Sequence, residues 1–305
     1  MISRPTVLIL GAGASVDYGF PTGRRLLRHI ISDLASSGWQ KGIISELGFE
    51  DADIEAFRSE LIGSGQPSVD AFLESREEWL SLGKAAIAAR LVPEEKEAEV
   101  TGRNEKMRWY EYLREQLGTT EEDVAENHLS IITYNYDRSI EFYLFTAFKN
   151  SYGMSDGDAL QLLSTIPIVH VHGQLAKLDV DGSTDGRRYL PHQDINAIKK
   201  AIAGIKVLHE TTISSPELEE ARALISNASL ICIIGFGYLA TNLKRLRIAE
   251  VASSFKDTGG MIYGSAFGLG DARKRMIQSA FFDRIMFGGR NQGALDFLQD
   301  YVVFE

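Results

Sequence analysis

The residues best suited to chemistry stand directly after short apolar runs. Val7-Leu8-Ile9-Leu10 breaks into Gly11-Ala12-Gly13-Ala14-Ser15, a turn whose backbone N–H groups, at the start of a helix, can hold a diphosphate with the help of the helix dipole. The other use of such glycines is a tight turn that holds no ligand. Downstream, Ile131-Ile132 leads into Thr133-Tyr134-Asn135-Tyr136-Asp137, and Val169 leads into His170-Val171-His172-Gly173. Ligands of open α/β sheets bind at the carboxyl ends of strands, so Asn135, Asp137 and His172 are expected to converge on the glycine turn. A period of two puts His170 on the same side as His172, yet His172 is nearer the strand end and abuts Gly173, which permits close approach of a ligand. His170 is read instead as a hydrogen-bonded histidine of the core or behind the site. A fourth strand-like run ends in Gly235-Phe236-Gly237, placed to receive adenosine from the opposite side, and a fifth ends in Gly264-Ser265.

These groups need a parallel sheet to bring them together. Thr6–Leu10, Ser130–Thr133, Ile166–Val171, Leu230–Ile234 and Gly260–Tyr263 are short and apolar on both faces and alternate with helical patterns. That arrangement predicts an α/β fold: a doubly wound, mostly parallel, Rossmann-like sheet. Helical patterns fill the stretch between the first two strands, over Gly23–Ser36, Asp53–Ile62, Ser68–Leu91 and Pro93–Leu117. A βαβ crossover needs one helix, so residues 38–127 are read as a helical insertion or subdomain, and residues 1–37 and 128–305 as the nucleotide-binding core. Phe72, Leu73, Trp79 and Leu82 of the insertion are read as core in preference to interface.

Several function classes are excluded. A dehydrogenase fingerprint needs a third Gly or Ala where Val16 stands, and an acid at the end of the next strand, whereas Asp33 falls in the helical pattern Leu26-Leu27, Ile30-Ile31, Leu34. Gly19-Phe20-Pro21-Thr22-Gly23 comes next instead, a rigid turn able to fold over a diphosphate or ribose. The 32 basic residues against 42 acidic ones leave a net charge of −10, which opposes direct nucleic-acid binding. Cys232, the single cysteine, permits neither an intramolecular disulfide nor a cysteine zinc site and reads as a core residue. Asp179–Gly186 is a polar loop lacking the closing glutamate of a calcium loop, so no metal is expected. No apolar run approaches the roughly 20 residues that span a bilayer, and Met1–Pro5 carry no signal-peptide pattern, so a cytoplasmic protein is expected.

Taken in order, Gly11 to Ser15, Gly19-Phe20-Pro21, Thr133 to Asp137, His172-Gly173 and Gly235-Phe236-Gly237 resemble the motif series of the sirtuin (silent information regulator) family. The resemblance covers Thr6–Ser15 and residues 130 to about 265, and leaves the insertion aside. Within that family the chain looks most like the bacterial sirtuin-like domains of anti-phage systems, which consume NAD instead of deacylating lysine. A four-cysteine zinc module, normal in deacylases, is impossible with one cysteine, which puts a protein deacylase in doubt. Gly-Phe-Gly replaces the family's Gly-Thr-Ser, and the arginine of its Gly-Ile-Pro-Asp-Phe-Arg is not assigned after Pro21.

The resemblance implies that NAD is the substrate and that Gly11, Ala12, Gly13, Ala14 and Ser15 hold its diphosphate. It implies that Asn135 positions water or polarises the nicotinamide riboside, that His172 binds ribose hydroxyls or acts as base, and that Asp137 orients the carboxamide or ribose. Phe20, Pro21, Thr133, Gly173, Gly235, Phe236 and Gly237 complete the expected binding site. Oriented amides and carboxylates of this kind suit N-glycosidic cleavage, which passes through an oxocarbenium-like state. The implied function is an NAD glycohydrolase used as a restrained effector in abortive infection. Restraint implies self-association or a separate partner, such as a DNA-translocating ATPase or an Argonaute-like protein. The alternative is a non-enzymatic module that senses NAD or ADP-ribose.

Overall fold

The computed structural model describes residues 1–102, 105–180, 186–191, 194–207 and 214–304. Its centre is a six-stranded sheet of β1 (Thr6–Leu10), β2 (Leu129–Thr133), β3 (Ile168–His170), β6 (Leu230–Ile234), β7 (Met261–Gly264) and β8 (Ile285–Phe287). The short pair β4 (Lys177–Leu178) and β5 (Gly186–Arg187) lies apart from it. The order is β3-β2-β1-β6-β7-β8, and every pairing is parallel, so the expected mostly parallel sheet is entirely so. Strand order reverses between β1 and β6, which opens a crevice at their carboxyl ends.

Side chains alternate between two covered faces, as the period of two requires. Leu8, Leu10, Ile131, Cys232 and Ile234 enter one apolar cluster; Val7, Ile9, Ile132, Ile231 and Ile233 enter the other. Each fully buried Leu, Ile or Val among them stabilises the fold by roughly 1.5–3 kcal/mol. The second face is covered by the helices Pro216–Asn227, Ile248–Thr258 and Asp271–Ala280, through Leu218, Ala221, Ile225, Ala252, Phe255 and Ile277. The first carries the helix Gly23–Ala35 and the whole insertion, whose Phe57, Phe72, Leu73, Leu82 and Ile87 share one cluster with Leu8 and Ile131. Trp79 packs against that cluster half-buried, so the four apolar residues of the insertion belong to the core.

The two long helices expected in the insertion are interrupted. Ser68–Leu91 divides into Val69–Leu73 and Leu80–Leu91, with a single 3-10 turn at Glu77–Trp79 between them. The break lets Phe72 and Trp79 both pack on Phe57, at ring separations of 5.8 and 5.7 Å, and lets the Trp79 indole donate to Glu60 at 2.8 Å. Pro93, which has no N–H to donate, stands in the next 3-10 turn, and Trp109–Gln116 is a separate helix. Trp39–Glu46 is a helix not anticipated from the sequence, and β8 is likewise an added strand. The predicted loop at Asp179–Gly186 falls mostly outside the described residues, and Gly186 itself opens β5. No helix among the described residues is long and apolar enough to cross a membrane.

Candidate functional site

A cavity of about 990 Å³ opens at the carboxyl ends of β1, β2, β3, β6 and β7. Its floor is two glycine loops locked together. Gly11 N–H donates to the Ile234 carbonyl at 2.9 Å and Gly13 N–H to that of Gly235 at 2.9 Å. A methyl group on Gly11 would lie 2.6 Å from the Gly235 oxygen, and one on Gly235 would lie 2.1 Å from Ala14 N. These glycines are therefore required by backbone approaching backbone, so the tight-turn use holds alongside whatever ligand role the loop has. Gly11 caps a 3-10 helix, Ala12–Tyr18, that ends at Gly19 with φ 91°, and the α-helix starts only after the Phe20-Pro21-Thr22 turn.

The insertion braces this floor. The Trp109 indole donates to the Ala14 carbonyl at 2.8 Å, the Tyr18 hydroxyl accepts from Tyr110 N–H at 2.8 Å, and the Tyr18 and Tyr110 rings stack at 3.6 Å. Arg108 lies over the Tyr18 ring at 4.6 Å and donates to the carbonyls of Asp17, Glu99, Val100 and Gly102.

Asn135 and His172 stand just beyond β2 and β3, 7% and 4% exposed. The Asn135 amide donates to the Gly11 carbonyl at 3.1 Å and the Ser15 hydroxyl at 3.0 Å, which fixes its orientation and leaves Oδ1 buried without a partner. Ser15 and Thr133 hold Asn135 from below, Thr133 by accepting its backbone N–H at 3.0 Å, and neither lines the cavity. The His172 ring meets Tyr134 edge-on at 5.2 Å, and its Nε2 is also buried without a partner. Two polar atoms with unspent hydrogen-bonding capacity on neighbouring strand ends are costly unless a ligand or water meets them.

Asp137 lines the cavity, but one carboxylate oxygen accepts from the Ser139 hydroxyl and from Ser139 N–H at 3.1 Å, at the start of the helix Ser139–Tyr152. Burial pushes its carboxyl above the usual range, against the hydrogen bonds from Ser139 and Ser15. Asp137 thus anchors a helix as well as facing the site. His170 is the buried, hydrogen-bonded residue anticipated: Nδ1 lies 2.9 Å from the Asn135 carbonyl and Nε2 2.6 Å from Glu141. Burial opposes a charged ring, yet Glu141 and the Asn135 carbonyl outweigh it and hold the imidazole above its ordinary value.

Gly11, Ala12, Gly13, Phe20, Pro21, Gly235, Phe236 and Gly237 all line the cavity, whereas Ala14 and Gly173 do not. At Gly173, φ is 69° and a methyl group would meet the Gly204 carbonyl at 2.1 Å, so the partner in close approach is the chain itself and not a ligand. Ser265, at the end of the fifth strand-like run, lines it too, as do residues that the motifs alone did not single out: Arg24, Asp70, Glu74, Arg273 and Gln292. Arg24 was legible, because it stands three positions after Pro21, where the resembled Gly-Ile-Pro-Asp-Phe-Arg carries its arginine. Asp70 and Glu74 come from the insertion, and nothing in their local sequence separates them from its other acids.

No family model matches the chain, and no curated protein matches it.

Proposed function

We propose that the chain is a sirtuin-like NAD glycohydrolase, which hydrolyses NAD to nicotinamide and ADP-ribose. The observation that carries this reading is the pair of buried, unpartnered atoms Asn135 Oδ1 and His172 Nε2 beside a glycine-floored cavity at the switch in strand order. Sites of this position bind dinucleotides, and the volume lies at the upper end of the range for small-molecule pockets. In the reaction a water oxygen bonds to the anomeric carbon, the bond to the nicotinamide nitrogen breaks with its electron pair, and one proton is released. Asn135 Oδ1 is suited to accept from that water or from a ribose hydroxyl, and His172 Nε2 to take the proton. Nicotinamide needs no general acid to leave.

The resemblance extends the proposal to a cytoplasmic, NAD-depleting effector in anti-phage defence, held inactive until self-association or a partner such as a DNA-translocating ATPase or Argonaute-like protein releases it. One observation favours a second reading, a module that senses NAD or ADP-ribose: the Asn135 amide and an Asp137 oxygen are already spent on the protein.

The test is nicotinamide release from NAD by the purified protein, across a range of protein concentrations, beside Asn135→Ala and His172→Ala. Release by the wild type that either substitution lowers by about 100-fold or more supports the hydrolase. Tight binding of NAD with no cleavage under any condition, infected-cell lysate included, overturns it in favour of the sensor.

A further inference from the structure

The acid nearest His172 comes from the helical insertion, outside the motif-bearing core. Asp70 sits on the short helix Val69–Leu73, its Oδ1 3.8 Å from His172 Nδ1, and the same oxygen accepts from the Tyr136 hydroxyl. The opposite ring nitrogen, Nε2, is the buried atom without a partner. The segment bearing Asp70 is anchored on both sides. The Ser68 hydroxyl accepts from Ala71 N–H at 3.2 Å at its start, and Glu74 receives both prongs of the Arg245 guanidinium at 3.0 and 3.1 Å at its end.

We propose that Asp70 is a positioning residue for His172: its carboxylate holds the imidazole with Nδ1–H toward the insertion, so that Nε2 presents its lone pair to the cavity. The proposal rests on the glycohydrolase reading, in which Nε2 takes the proton of the water that bonds to the anomeric carbon while the electron pair of the broken bond leaves with nicotinamide. A separation of 3.8 Å is longer than a direct hydrogen bond, and such contacts in ligand-free sites commonly tighten when substrate binds. The electrostatics of Asp70 agree with the geometry: burial works to raise its carboxyl, and the contacts with His172 and Tyr136 outweigh burial and hold it below the usual range. The phenols of Tyr134 and Tyr136 face the pair, their rings 5.2 and 6.2 Å from that of His172, Glu74 on the same segment is held by Arg245, and Asp137 lines the same cavity. The insertion is thereby part of the chemical machinery, and any partner that shifts the segment 68–74 would alter how His172 is held.

Two measurements test this. Carboxyl ¹³C NMR follows the titration of Asp70 in wild type and His172→Gln with no nucleotide present. An upward move in the variant is expected, because the group that favours the carboxylate is gone, and an unmoved titration overturns the proposal. Steady-state NAD cleavage then compares Asp70→Asn with Asp70→Glu. Asp70→Asn should lower kcat on the order of 100-fold with KM within about threefold, and move the acid limb of the kcat–pH profile to lower pH, with Asp70→Glu recovering part of the rate. A rise in KM with kcat unchanged, or a lowered kcat with an unmoved pH profile and no recovery in Asp70→Glu, overturns it. Should Asp70→Asn fail to fold, the His172→Gln titration still decides. If wild type cleaves no NAD, the glycohydrolase reading fails while that titration separately reports whether Asp70 and His172 are coupled.

Discussion

Glu95 should be among the most destabilising single positions in the chain to neutralise. It lies in the insertion, fully buried, between two arginines that belong to the core: Arg138, itself fully buried, and Arg187 on β5. Arg138 grips both carboxylate oxygens, at 2.9 and 2.6 Å, and donates as well to the carbonyls of Lys177, Arg187 and Arg188. At an effective dielectric of about 20, a charge pair some 4 Å apart is worth about 4 kcal/mol before desolvation is counted. Glu95→Gln preserves shape but removes both attractions and turns an NH₂ donor toward a guanidinium, while both cations stay buried. The expected loss is about 3–5 kcal/mol. With an unfolding entropy of about 2.1 cal/mol/K per residue over 305 residues, that corresponds to a fall of about 5–8 °C in Tm. Calorimetry and urea melts measure it, with the exposed Glu78→Gln as a control expected to leave the melt unchanged. A Tm within about 1 °C of wild type for Glu95→Gln would refute the reasoning, because it would mean that the buried pair of cations is neutralised by something other than Glu95.

The interlocked glycines make a paired prediction: Gly235→Ala, at φ 61° and 2.1 Å from Ala14 N, should lose about 2–4 kcal/mol in a urea melt and open the cavity floor, whereas Gly237→Ala, with nothing within 4 Å, should not. The raised His170 imidazole contributes stability that is fully present below its unfolded value near 6.5 and is lost as pH climbs through the folded value. His170→Gln should therefore flatten the stability profile over that window, and urea melts between about pH 5.5 and 8.5 check the sign; a profile parallel to wild type would contradict it.

How much was legible depends on how each feature is encoded. β1, β2, β6 and β7 were readable because strands covered on both faces are apolar at nearly every position, and runs of three to five such residues bounded by turn residues leave a clear trace. β8 escaped because its apolar run, Ile285-Met286-Phe287, is only three residues long and lies on the sheet edge with Met286 exposed, too short a run to mark a strand. The insertion's helices were readable as helices but not as broken ones. Whether Phe72 and Trp79 continue one helix or turn onto Phe57 depends on a residue fifteen positions upstream of the first of them.

At the site, residue type together with place in the strand pattern determined Asn135, Asp137, His172 and the glycine loops, because a parallel sheet presents the residues after each strand at one edge. Local sequence also separated His172 from His170, since the residue nearer the strand end is the one that clears the sheet. Tertiary structure alone decided that Gly11 and Gly13 meet Gly235, that Gly173 meets Gly204, and that Asp70 and Glu95 reach the core from the insertion. Those contacts join segments far apart in the chain, through side chains and backbone whose positions no local propensity encodes. Only packing of the insertion against one face of the sheet sets the distance at which a carboxylate meets an imidazole.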